Sequence, residues 1–85
     1  MNFFQLLTQL LNGSYTQDEI TSMVLLKYKQ NTGNSLTYST ARRYLSLPIS
    51  DYTNMSLGTI DVLSHVVDTD IRAAIEAKLK EAELV

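Results

Sequence analysis

The chain has 85 residues, 45% of them hydrophobic and 19% charged, with a net charge of −2. That length supports one compact core, and the composition is that of a folding chain, which excludes a disordered tail. There is no cysteine and a single histidine, His65, which excludes a disulfide framework and a thiolate or multi-histidine zinc site, so no metal and no cofactor is expected.

The N-terminal MNFFQLLTQLL is apolar but lacks a basic leader region and a small-residue cleavage pattern, and Gln5, Thr8 and Gln9 interrupt it. It reads as a helix of the domain. No run approaches the roughly 18 apolar residues that span a bilayer, so the expected protein is soluble and cytoplasmic, with no membrane partner. Charge is distributed unevenly along the chain. Residues 1–50 hold four bases and two acids, a net of +2, whereas residues 51–85 hold three bases and seven acids, a net of −4. Such asymmetry points to an electrostatic partner for the basic half.

In chain order, Phe3, Leu6, Leu7 and Leu10 recur at helical spacing and predict a helix over 2–11, closed by Asn12-Gly13. Thr16-Gln17-Asp18-Glu19 has the form of a capping box and should start a second helix. Its inner face is Ile20, Met23, Val24 and Tyr28, widened by Leu25 and Leu26 to meet neighbours on two sides. The cluster NTGNS at 31–35 is a turn, with Gly33 as the helix stop.

A third helix covers LTYSTARRYLSLP, residues 36–48, capped by Thr37 or Ser39 and ended by Pro48. On a helical wheel Ala41, Tyr44 and Leu45 share one side, and Ser39, Thr40, Arg42, Arg43 and Ser46 occupy the rest. No acid lies within a helical turn of either arginine, so no local ion pair accounts for them. Residues 49–58 read as a loop with room for a short β-hairpin, tethered by Ile49, Tyr52 and Met55. A last helical region runs over 60–84, with Ile60, Leu63, Val67, Ile71, Ile75, Leu79 and Ala82 spaced three or four apart. Asp68-Thr69-Asp70 offers a break into two helices. The expected fold is a single all-α domain over 1–85, of four to five helices.

Catalysis finds little material here, and no enzyme is expected. His65 lies between Ser64 and Val66 on a helix, without a paired nucleophile, and reads as a structural histidine. Asp68 and Asp70 lack the spacing of a calcium loop and read as helix caps. Of the tyrosines at 15, 28, 38, 44 and 52, all but Tyr38 are expected to be half-buried packing residues.

The order helix, capped helix, turn, then LTYSTARRYL over 16–48 resembles the helix-turn-helix of DNA-binding regulators, and the small size is similar to compact phage and plasmid regulators of the Cro or CII type. The turn from Asn31 to Leu36 is longer than the compact form of that motif. The resemblance implies a sequence-specific transcriptional regulator that binds double-stranded DNA as a homodimer or higher homo-oligomer. Tyr38, Ser39, Thr40, Arg42 and Arg43 would face the groove, with Lys27 and Lys29 on phosphates. The alternative is a non-enzymatic helical interaction module, such as an inhibitor, antitoxin or adaptor, that binds a protein partner. Its contact, or an oligomer interface, would be Ile71, Ile75 and Leu79 on the C-terminal amphipathic segment.

Overall fold

The computed structural model describes residues 1–83, and the expected all-α domain is what it contains. Among them are α1 (Phe3–Leu11), α2 (Gln17–Thr32), α3 (Tyr38–Ser46), a 3-10 helix (Ile49–Asn54), α4 (Leu57–Val67) and α5 (Ile71–Glu83).

Each boundary follows from local chemistry. Asn2 caps α1 reciprocally with Gln5: its side chain accepts from the Gln5 amide at 2.9 Å while the Gln5 side chain accepts from the Asn2 amide at 2.8 Å. Asn12, at φ 55°, closes that helix in the left-handed region. The Thr16–Glu19 capping box forms as expected, both bonds at 3.1 Å. Gly33 ends α2 at φ 74°, where its amide donates to the Lys29 carbonyl at 2.9 Å. Thr37, and not Ser39, caps α3.

The region expected to hold a β-hairpin is a 3-10 helix instead. The physical reason is visible in the spacing: Ile49, Tyr52 and Met55 all contact the core and recur every three residues, the period of a 3-10 helix and not of a strand. The sole strand-like pairing among the described residues is an isolated bridge between Asn2 and Pro48. It ties the chain start to the end of α3, with Phe3 donating to the Leu47 carbonyl at 3.3 Å and Ile49 donating to the Met1 carbonyl at 3.0 Å.

The C-terminal region divides at the expected place. Asp68 adopts φ 52° as the C-cap of α4, and the Asp70 carboxylate accepts from the Arg72 and Ala73 amides at the start of α5. Ser56 caps α4 at Thr59, so the helix begins at Leu57 and absorbs Gly58, which sequence placed in a loop. The end of the expected stripe, Leu84, lies outside the described residues, as does the Ala82 side chain.

One core joins all five α-helices and the 3-10 helix. Phe3, Leu6, Leu7, Ile20, Leu45, Leu63, Ile71 and Ile75 are each less than 2% exposed. α2 packs on both α3 and α4, α1 touches α2, α3 and α4, and α5 rests on α4 and the 3-10 helix. The assignment of Ile71, Ile75 and Leu79 to an intermolecular face is therefore corrected. Ile71 and Ile75 are 0% exposed and Leu79 packs beside them, because the α4–α5 break folds the stripe back onto its own domain. Leu26 departs in the other direction: expected inside, it is 58% exposed on the outer side of α2.

A core position and a contact face respond differently to truncation. Ile75→Ala should lower stability by about 2–5 kcal/mol, the range for deleting a buried aliphatic side chain. Denaturant unfolding followed by helical circular dichroism measures it; a loss below about 0.5 kcal/mol would return Ile75 to the surface.

Candidate functional site

α3 is seated by its inner stripe. Ala41 and Leu45 are each 1% exposed, and Tyr44 is half-buried beside them. Half a turn away Ser39, Arg43 and Ser46 are exposed. Between these stripes, on the flank that meets α2, Tyr38 and Arg42 lie four residues apart and stack along the helix.

That flank holds a polar cluster that crosses between helices. The Arg42 Nη1 donates to Asp18 Oδ1 at 3.0 Å and to the Tyr38 hydroxyl at 3.3 Å, and its Nη2 donates to Gln17 Oε1 at 2.8 Å. The Tyr38 hydroxyl in turn donates to the same Asp18 oxygen. Asp18 thus supplies the acid that the local sequence around the arginines lacks. It sits in the first turn of α2, where a negative charge is favoured by the helix dipole.

The turn explains how residues so distant in sequence meet. Asp18 lies roughly 21 Å along α2 from Thr32 at 1.5 Å per residue. The five residues Gly33–Thr37 can span up to about 17 Å when extended, and the long side chains of Tyr38 and Arg42 close the remainder. A shorter turn would leave the start of α3 at the far end of α2. Lys29 steadies that turn by donating to the Ser35 hydroxyl at 3.1 Å.

The expected site residues divide accordingly. Ser39 and Arg43 are exposed, the Arg43 guanidinium lying 5.6 Å from the centre of the Tyr44 ring. Lys29 is exposed and Lys27 half-buried, with the Lys27 carbonyl accepting from the Asn31 side chain at 2.8 Å. Thr40 is half-buried and its hydroxyl is taken up by Thr37 at 2.7 Å. Tyr38 and Arg42 are engaged by Asp18. Gln17 and Asp18 are the members that sequence reasoning missed, because their positions inside a capping box accounted for them fully. The signal was the length of the turn.

Energetically the cluster is an orienting device more than a source of stability. The Asp18 and Arg42 side chains are 73% and 44% exposed, and ion pairs so placed contribute about 0–1 kcal/mol. A stronger acceptor could take Arg42 from Asp18 at small cost.

Other polar groupings are accounted for by structure. The His65 Nδ1 donates to the Asp61 carbonyl at 2.9 Å on the exposed side of α4. The cleft lined by Leu57, Asp61, Ser64, Asp70 and Arg72 has its Ser64 hydroxyl and Asp70 carboxylate committed to the first amides of α5. Among the described residues no three His, Cys, Asp or Glu side chains converge as metal ligands, and no helix is long and apolar enough to cross a membrane. Compared with protein-family models, curated proteins and solved structures, the chain matches none.

The hydrogen bond to Asp18 raises the Tyr38 pKa above the usual value, aided by partial desolvation and opposed by Arg42. Ionisation would set a phenolate against a carboxylate, so the protonated hydroxyl is the form the fold favours. Its stabilising effect is complete below the ordinary tyrosine pKa of about 10 and is lost as pH rises through the raised folded value. In Asp18→Asn the Tyr38 pKa should fall back toward that ordinary value. Alkaline titration of tyrosinate absorbance checks it, with Tyr38→Phe in each background to assign the transition; an unmoved midpoint would mean the two groups do not interact in solution.

Proposed function

We propose that this protein is a small DNA-binding transcriptional regulator of the compact phage or plasmid kind, with α2 and α3 acting as a helix-turn-helix unit. One observation carries the reading: α3 is anchored through Ala41 and Leu45 while its opposite face offers Ser39 and Arg43 to solvent. A helix held that way presents side chains to a groove without loosening the core beneath. Arg43 is suited to the O6 and N7 acceptors of guanine or to a phosphate, and Ser39, in the first turn, to either. Lys29, over the turn into α3, suits a phosphate.

The protein-interaction alternative relied on Ile71, Ile75 and Leu79, which serve the protein's own core. A regulator of this size would act as a dimer or higher oligomer on two half-sites about one helical turn apart.

Binding to mixed-sequence duplex DNA, titrated against salt, tests the proposal. The wild-type protein should be retained at low salt and released as salt rises. On mixed-sequence duplex, where binding is carried by phosphates, Arg43→Ala should weaken binding and reduce the salt slope by about one. Absence of binding at low salt, or binding indifferent to Arg43→Ala with helix content retained, would overturn it.

A further inference from the structure

We propose that Asp18 is a specificity-determining residue of the DNA surface: by holding Arg42 and Tyr38 on the flank of α3, it keeps them from gripping phosphates indiscriminately and leaves recognition to Ser39 and Arg43. The inference rests on the DNA-binding reading above.

The donor inventory of Arg42 carries the argument. A guanidinium has five N–H donors, and three are committed: both from Nη1, to Asp18 and Tyr38, and one from Nη2, to Gln17. Nε and one Nη2 hydrogen remain. The end-on fork of Nη1 and Nη2, one of the two ways a guanidinium grips a guanine edge or a phosphate bidentately, is closed while the cluster holds. Tyr38 has spent its only hydroxyl proton on Asp18. Arg42 is thus a positioning element in the free protein, and the expected pair of reading arginines becomes one reader and one held in reserve.

Charge makes the same point. Arg42 and Asp18 together present no net charge to an approaching phosphate, whereas Arg43 has no acidic partner among the described residues. Because the Asp18 carboxylate is exposed, it also repels phosphates directly, and that repulsion acts on any DNA sequence. The pair is weak enough to open where a groove brings a matching acceptor to Arg42, so closure selects against poor sites more than against good ones.

The test replaces Asp18 and reads nonspecific binding. Asp18 is exposed and asparagine is accepted in a helical first turn, so Asp18→Asn should retain the wild-type helical circular dichroism. Its affinity for random-sequence duplex at about 0.1 M salt should rise by up to about fivefold, and its slope of log affinity against log salt should steepen by about 0.9, the increment of one added phosphate contact. Asp18→Glu, which keeps the charge, should return the wild-type slope. Asp18→Asn/Arg42→Ala should also return it, because the added contact is that of Arg42. If wild-type binding depends on Arg43 but Asp18→Asn leaves the slope unchanged, the role of Asp18 is overturned while the DNA reading stands. If the wild-type protein binds no duplex even at low salt, the DNA reading falls and this inference with it.

Discussion

The structure depends on the burial of one short helix. α1 has nine residues, too few to persist alone in water, yet it touches three of the other four α-helices. Phe3, Leu6 and Leu7 are 0% exposed, and burying such side chains contributes about 1.5–3 kcal/mol each. Fixing a residue's backbone costs about 1–2 kcal/mol, so the helix and the core around it form together or not at all. The two amide-to-carbonyl bonds between the chain start and residues 47–49 hold α1 against the far end of α3. α3 is therefore fastened from below by side chains and at its C-terminal end by backbone.

Much of this was legible in the sequence because it is local. The Thr16–Glu19 capping box, the stop at Gly33, the break at Asp68–Asp70 and the inner stripe Ala41, Tyr44 and Leu45 each depend on residues within about a turn of one another. The 3-10 helix was not read: Ile49, Tyr52 and Met55 have its three-residue spacing, but Gly58 and a polar composition made the segment read as loop. What sequence could not supply was destination. An apolar stripe at Ile71 and Ile75 has the same pattern whether it meets its own domain or another, and only the reversal between α4 and α5 decides between them. Leu26 shows the converse, an apolar residue that the sequence placed inside and the packing of α2 left outside.

The Asp18 cluster is the sharpest case of the same limit. Its members are separated by 24 residues between Asp18 and Arg42, and no periodicity connects them. The long turn, a departure from the compact helix-turn-helix spacing, is the feature that carries the start of α3 back toward the start of α2. A departure from a family pattern thus has a structural effect: it brings an acid to a helix that would otherwise carry two unopposed arginines.

The charge of the whole chain does not set the charge of one face, because electrostatic fields at physiological salt are local, fading over about 8 Å. α3 packs chiefly on α1 and α2. α1 carries no acid, and α2 carries only Asp18 and Glu19; Glu19 is turned back to its own helix cap at Thr16. The seven acids of the second half ride on the 3-10 helix, on α4 and α5, and on the turn between those two. Overall charge is consequently a poor guide to what α3 presents. Among the described residues Asp18 is the one carboxylate hydrogen-bonded to α3, so it, more than the net charge of −2, sets the local charge of that face.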